Sequence, residues 1–294
     1  MKFWLVGAGY WGSKVRAELD TIPGVDNVET IDIKNGQTID DINTTDPVIL
    51  ATPLWQHAEQ VKTLLDRGHD VYVEKPMGEN LADIVNIENS LSYQVLMVGH
   101  IFLYNPLLHT LKDLLDNGEL GTVKHVESRR LNWGIRQTKT TPLLSLAPHD
   151  ASIIQHLLGD TPVTYASATD LSNNRVPDMV EFGGPQFNCK VSWWWPKRER
   201  TVTVVGTHGQ AVWDEDRKTI ELFNGHIEDV YPNKHLESVV YPYDSVYGSK
   251  HTPLHLELRH FVECCWNREN PRTGITSAKR VAAMLDQAAY LLEK

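Results

Sequence analysis

The sequence predicts an α/β chain, with a doubly wound parallel sheet first and a strand-rich, mostly antiparallel part after it. Three observations predict this. An apolar run over residues 2–6 leads directly into Gly7-Ala8-Gly9-Tyr10-Trp11-Gly12 and then into a helical stretch over 13–19. Strand and helix patterns alternate as far as residue 116. Past Asn117-Gly118 the pattern changes to strands joined by short connections, so two domains are expected, 1–118 and 119–294.

The glycine turn carries the first chemistry. In a strand–GxGxxG–helix unit, Gly7 allows the tight turn and Gly9 has no side chain to block a pyrophosphate. Gly12 lets the helix lie close to the strand, and the helix N-terminus offers its N–H groups to the anion. A second apolar strand follows at 28–33, and Asp32 stands about 20 residues past Gly12, the usual distance for an acid that binds the ribose hydroxyls. An acid there favours NAD, because it repels the 2′-phosphate of NADP.

Further strands are expected at 47–51, 70–73 and 94–98, and helices at 55–67, 81–91 and 106–116. The crossover 34–46 is near the minimum for joining parallel strands, and only a short helical turn at 38–42 fits there. In the second part, strands are expected at 123–131, 162–168, 187–195, 201–206, 211–214 and 219–223, with helices at 149–158 and 277–292. The short connections from 187 to 223 suggest antiparallel pairing. Residues 225–250, rich in Pro, Tyr, Asn and Ser, read as a long loop or flap.

Bulk properties narrow the function. A chain of 294 residues with 41% hydrophobic residues is long enough for two cores. A net charge of −10 argues against general binding to nucleic acid or anionic membranes. The three cysteines, Cys189, Cys264 and Cys265, show no metal-ligand spacing and read as free thiols, so no metal is expected. No signal sequence or membrane-length apolar run is present, so a cytoplasmic location is expected.

Two strand ends carry polar residues that need a reason. Ala51-Thr52-Pro53 closes the third strand, with His57 about one turn further on, and strand ends of this kind face ligands. An ordinary strand-to-helix turn capped by Thr52 fits the spacing equally well. Glu74-Lys75-Pro76 ends the fourth strand, where two charges are costly unless paired or used. Pro76 fixes the turn and is a candidate for a cis bond. A lysine near a cationic nicotinamide and away from water is expected to have a lowered pKa, suited to proton transfer. A solvated Glu–Lys pair is the plainer alternative.

In this order and spacing, GAGYWG, ATP with His57, and VEKP resemble the Gfo/Idh/MocA family, named for glucose–fructose oxidoreductase and inositol dehydrogenase. The resemblance continues through Val98–Pro106, Gly118–Gly121, Arg130-Leu131-Asn132, Leu146–Asp150, Val191–Trp193 with the basic stretch 197–200, and Val205-Gly206 with Gly209. It covers nearly the whole chain, weakens at 225–250, and is nearest the branch acting on nucleotide-linked sugars. It implies an N-terminal Rossmann domain, a C-terminal α/β domain with a large open sheet, and an active site between them. It also implies that Lys75 is the lysine of the EKP motif and that His149 exchanges a proton with the substrate hydroxyl. Gly7, Gly9, Tyr10, Trp11, Gly12, Asp32, Thr52, Pro53, His57, Glu74 and Lys75 are implied to line the dinucleotide. Tyr104, Asn105, Arg130 and Asn132 are implied to line the sugar.

One departure stands out. The family often has an aspartate four residues before the histidine, where this chain has Ser145. Ser145 can hydrogen-bond but carries no charge to steady an imidazolium. Asp150 does not replace it, since adjacent helical residues point about 100° apart. Trp193-Trp194-Trp195 reads as packing on both faces of a strand, and the open sheet as the contact of a homodimer or homotetramer. The basic residues Lys197, Arg198 and Arg200 beside it read as a solvated strand end.

The expected function is an NAD-dependent dehydrogenase or reductase acting on a secondary alcohol or ketone of a sugar or nucleotide sugar. Ser145 keeps open a regulator or scaffold that binds without turnover. Lys34 keeps open an NADP-preferring enzyme. The choice of sugar is expected to rest on the loops 130–142 and 225–250.

Overall fold

Five parallel strands form the first sheet of the computed structural model, which describes residues 1–134, 137, 139–172, 176–225, 237–243 and 251–294. They are β1 (Lys2–Val6), β2 (Asn27–Ile31), β3 (Val48–Leu50), β4 (Val71–Glu74) and β5 (Leu96–Gly99), in the order β2-β1-β3-β4-β5. The chain leaves β1 towards β2 and then crosses back to β3. This puts the topological switch point at the carboxyl ends of β1 and β3, where a doubly wound sheet takes its ligand.

The first helix α1 (Tyr10–Leu19) buries Gly12, Val15 and Leu19, one stripe at helical spacing. Helices α2 (Leu54–Asp66) and α3 (Leu81–Glu88) follow β3 and β4. The thin crossover holds only two 3-10 turns, Ile33–Asn35 and Ile39–Asp41, the second closed by reciprocal capping between Thr38 and Asp41. The core between sheet and helices is aliphatic, with Val48, Leu50, Val61, Leu64, Val71, Val73 and Val98 fully enclosed.

The division of the chain differs from the expected boundary at 118. One compact unit is 1–104 with 251–283, and the other is 105–250 with 284–294. The reason lies in the helix α7 (Pro253–Asn267), which the sequence patterns did not mark. Its buried face, Leu254, Leu258, Phe261, Val262 and Cys265, belongs to the first unit. The Phe261 ring lies 6.2 Å from that of Phe3 and 5.8 Å from that of Tyr72. Conversely α4 (Pro106–Asp116), expected in the first domain, packs on strands of the second sheet.

Among the described residues, that second sheet has eight strands, which include β7 (Tyr165–Thr169), β8 (Met179–Gly184) and, within the stretch expected to be a loop, β13 (Glu237–Pro242), in the order β13-β12-β11-β10-β6-β9-β8-β7. Its long strands are β6 (Val123–Trp133) and β10 (Trp194–Gly206). The helix α6 (Ala147–Leu158) lies against β6 and β9 (Phe187–Ser192), and α4 lies against β11 (Gly209–Asp214) and β12 (Thr219–Asn224). The expected strand 187–195 is in fact two. β9 runs parallel to β6, and β10 lies antiparallel on the other side of β6. Trp193 makes the crossing: its carbonyl accepts the Gly134 N–H at 2.8 Å and its own N–H donates to Asp178 O at 3.0 Å. Trp193 is buried, whereas Trp194 stacks on the exposed ring of Trp133 at 5.7 Å and 7°. The three cysteines are free, as expected, and all three are buried.

Phe261 closes the first core although it lies far along the chain from β1. Phe261→Ala is expected to destabilise the first unit by about 3–5 kcal/mol, read as a lower urea midpoint with an unchanged slope. A loss within the range of a surface substitution contradicts this packing.

Candidate active site

The glycine turn is dictated by backbone contacts. Gly7 has φ +101°, and a Cβ there falls 2.6 Å from Ala51 O. A Cβ on Gly12 falls 1.9 Å from Gly7 O, so the helix approaches the turn only with glycine at that position. Gly9 is different, because a Cβ there meets nothing within 4 Å. It caps α1 with no side chain over the first N–H groups. A cradle that glycine leaves open at a helix N-terminus fits a pyrophosphate. Tyr10 beside it is exposed, and the Lys14 ammonium sits 4.4 Å from its ring centre and 5.6 Å from that of Trp11.

Asp32 follows β2 and is buried. Its Oδ2 accepts the Ala8 N–H at 2.7 Å and its Oδ1 accepts the Lys34 N–H at 2.8 Å. These donors, Lys34 first and then Ala8, hold the carboxyl below its usual pKa. The charge is therefore fixed, and it is tied to the glycine turn itself.

At the end of β3, Pro53 caps α2 and is exposed, while the Thr52 hydroxyl donates to Gln60 Oε1 at 2.6 Å. Thr52 is therefore not the cap. His57 needs a correction. It is buried, with Nδ1 2.7 Å from Pro76 O and Nε2 2.8 Å from Thr52 O. Burial, with Lys75 adding, holds its pKa below the ordinary histidine value against the pull of these carbonyls. No ring nitrogen is left for a dinucleotide. His57 instead braces the turn after β3 against the turn after β4, where Lys75–Pro76 is a cis bond.

Glu74 and Lys75 are each only partly covered at the end of β4. The Glu74 carboxyl is nonetheless enclosed, and burial raises its pKa. The Trp11 indole, Lys75 and Tyr72 pull it down. The Trp11 N–H faces this carboxylate without closing a bond of good geometry. Tyr104 in the same unit is also not where a sugar contact is expected. It is buried, its hydroxyl is 3.1 Å from Thr273 Oγ1, and Arg272 lies 5.2 Å from its ring centre.

In the second unit, His149 is half-buried in the first turn of α6, and its carbonyl accepts the Ser152 hydroxyl at 2.7 Å. Ser145 ends the short helix α5 (Pro142–Ser145). Asp150 is fully committed elsewhere: Oδ1 accepts from Ser128 at 2.7 Å and Oδ2 from Arg130 Nε at 2.8 Å. It supplies no substitute for the charge missing at Ser145.

Arg130, expected to line the sugar, is corrected by the same network. It is buried and bonded to Asp150 and, through Nη1 at 3.0 Å, to Glu215, which also accepts from Arg200 at 2.8 Å. Burial works against the Arg130 charge, but Asp150 and Glu215 outweigh it. Val126, Ser128 and Arg130 alternate along β6 and are buried, and Ser128 and Arg130 both meet Asp150 of α6, so Arg130 points into the core. Asn105 is a further correction: it is buried as the N-cap of α4, accepting the Leu107 N–H at 2.9 Å. Asn132 is half-buried, and its Oδ1 has no partner among the described residues. Residues 135, 136 and 138 of the loop beside it, and 226–236 and 244–250 of the other expected specificity loop, lie outside the described residues.

Two acids that matter were not picked out in the sequence, Glu215 and Glu257. Glu257 left a signal, because it sits among Leu254, Leu258 and Phe261 on the apolar face of a helix.

The chain belongs to the Gfo/Idh/MocA family. Residues 22–100 match its oxidoreductase NAD-binding Rossmann fold and residues 108–212 match its C-terminal domain. An uncharacterized oxidoreductase of Streptococcus pneumoniae is 27% identical over 193 residues, 56% of this chain and 52% of that protein. An inositol 2-dehydrogenase of Mycolicibacterium gilvum is 30% identical over 141 residues, 46% of this chain and 40% of that protein. The chain thus spans about half the length of the curated relatives it matches. A UDP-N-acetylglucosamine 3-dehydrogenase from Acidithiobacillus ferrooxidans shares the fold, with a TM-score of 0.82 at 15% identity over 100% of this chain and 97% of that one. No helix among the described residues is long and apolar enough to cross a membrane.

The two glycines separate folding from binding. Gly9→Ala is expected to change stability by less than about 1 kcal/mol and to weaken dinucleotide binding at least about tenfold, by filling the cradle. Gly12→Ala is expected to destabilise the fold itself. Thermal unfolding with calorimetric titration checks both, and a Gly9→Ala protein that binds as the parent does contradicts the cradle.

Proposed function

We propose that this protein is an NAD-dependent oxidoreductase that transfers a hydride between nicotinamide and a carbinol or ketone carbon of a sugar, with a nucleotide sugar as the favoured substrate class. The observation that carries the reading is the open Gly9 cradle tied to a buried, ionised Asp32. A carboxylate fixed there accepts ribose hydroxyls and opposes a 2′-phosphate. Family membership supports the reaction class, and a relative named inositol 2-dehydrogenase supports a polyol-like substrate. The shared fold of a UDP-sugar dehydrogenase supports the nucleotide sugar.

The bound coenzyme supplies the redox chemistry, taking up or giving back the hydride at the nicotinamide. The protein residues move the proton and hold the geometry. In the oxidative direction His149 takes the hydroxyl proton as general base, and the Lys75 ammonium holds the oxygen as the carbonyl forms. Glu74 keeps a countercharge near Lys75. His57 fixes the turns on which Thr52 and Lys75 stand. Asn132 is retained as a sugar contact, since its side-chain oxygen is unpaired among the described residues. The exposed Trp133, Val239 and Val240 on the second sheet favour a homo-oligomer formed through that sheet.

Ser145 favours one rival, a dinucleotide- and sugar-binding regulator without turnover, because Asp150 is unavailable to steady a charged His149. One experiment separates the two. The purified protein is incubated with NAD and a panel of UDP- and dTDP-sugars, polyols and free sugars, and coenzyme reduction is followed. Turnover is expected with at least one member of the panel. Lys75→Ala and His149→Ala are each expected to lower kcat by about 10²–10⁴-fold while NAD still binds. Binding of NAD with no reduction by any member favours the regulator.

A further inference from the structure

Tyr72, Glu74 and Glu257 form a closed group in the first unit that hydride transfer does not itself use. Tyr72 and Glu257 are fully buried. The Tyr72 hydroxyl lies 3.1 Å from Glu74 Oε1 and 3.0 Å from Glu257 Oε2. Helix α7 sets this geometry. Phe261 covers the Tyr72 ring, and Glu257, one turn earlier on the same face, reaches the hydroxyl. β5 leaves room for it. A Cβ on Gly99 falls 2.6 Å from the Tyr72 hydroxyl oxygen and 3.3 Å from Glu74 Oε2, so the pair fits only beside glycine.

A phenol has one proton and can donate it to one carboxylate only. Were both acids ionised, the second would turn an oxygen toward the lone pairs of the phenol. The two acids are not equivalent. Glu257 Oε1 has no hydrogen-bond partner among the described residues, so as a carboxylate this side chain would compete for the single Tyr72 proton with no other donor. In a fully buried site that is strongly unfavourable. Glu74 has the Trp11 indole and Lys75 near it as well as Tyr72, all favouring its charge.

We propose that Glu257 is held as a neutral acid that donates from Oε2 to the Tyr72 oxygen, while Tyr72 donates to Glu74, leaving Glu74 as the single carboxylate charge beside Lys75. Glu257 and Tyr72 are then positioning residues that act on Lys75 through Glu74. Their effect on turnover rests on the proposed function, whereas the proton on Glu257 does not.

The surrounding groups agree. Burial first, then the charge of Glu74, raises the Glu257 pKa well above the ordinary glutamate range. Tyr104, in the 3-10 turn Ile101–Tyr104, also faces Glu257, with Arg272 over its ring. His100, next to Gly99, is pushed down to about 3 by burial with Lys75 adding, so it brings no charge. Of the groups named here, Glu74, Lys75 and Arg272 carry the charge.

The test begins without activity. Infrared spectra of glutamate-labelled protein at pH 7 are compared for the parent and Glu257→Gln. A carboxylic-acid C=O band is expected in the parent and absent from the variant. Unfolding is then followed against pH. A raised native pKa contributes stability that is complete below the unfolded value of about 4.3 and is lost as pH rises toward the native value. Glu257→Gln lacks this term, so it is expected to gain stability relative to the parent as pH rises from 5 to 8. In turnover, Tyr72→Phe removes a donor from Glu74 and is expected to move the acid limb of the kcat profile up by about one pH unit. Glu257→Gln still donates to Tyr72 and is expected to keep the parent limb.

Absence of the acid band overturns the proposal, and so does a Gln variant that loses relative stability as pH rises. If Glu257→Gln does not fold, Tyr72→Phe is expected to shift the acid band by removing its acceptor, and an unshifted band overturns the proposal. A band that behaves as described in a protein without turnover leaves the chain of donors standing and removes only the proposed function.

Discussion

The hydrogen bond from the Ala8 N–H to the Asp32 carboxylate is the interaction on which the rest of the first unit's site depends. It joins the end of β2 to the turn after β1, the two elements that flank the switch point. The carboxylate also takes the Lys34 N–H, so it orders the 3-10 turn that begins the short crossover. Its depressed pKa is the electrostatic record of those two donors. One side chain thus shapes the turn and fixes its own charge beside it.

A second constraint holds in each unit: an enclosed charge is tolerated only when its partners are supplied. In the first unit, Glu74 is enclosed at the end of β4 and is answered by Lys75, Trp11 and Tyr72. In the second, Arg130 in the middle of β6 is answered by Asp150 and Glu215. The Asp150–Arg130 pair holds the first turn of α6, the turn that carries His149. Burial of either charge alone would be strongly unfavourable, so these pairs order their surroundings whatever their net contribution to stability.

Much of this was legible in the sequence, and the parts that were not have physical reasons. The glycine turn, Asp32 and the strand ends at Thr52 and Lys75 were legible because each depends on local backbone geometry. The parallel pairing of β9 with β6 was not, because a one-residue crossing at Trp193 leaves no periodic signal. The return of α7 to the first unit was hidden for a related reason. Its amphipathic face is plain, but nothing local says which core it covers. Arg130, Asn105, Tyr104 and His57 show the converse. The family resemblance, and for His57 also its place after a strand end, implies ligand contacts, but the alternation of β6, the start of α4, the 3-10 turn after β5 and the enclosed turn after β3 direct them to protein partners. Glu257 was missed because a carboxylate on an apolar helix face reads as an exception until its partner, the Tyr72 hydroxyl, is seen.

The charge of Asp32 is tested most directly through coenzyme affinity. Calorimetric titration of the parent protein with NAD and with NADP, at one pH and one salt concentration, measures its consequence. The fixed carboxylate predicts NAD binding at least about tenfold tighter, a difference of about 1.4 kcal/mol. Equal affinities, or tighter binding of NADP, would contradict it.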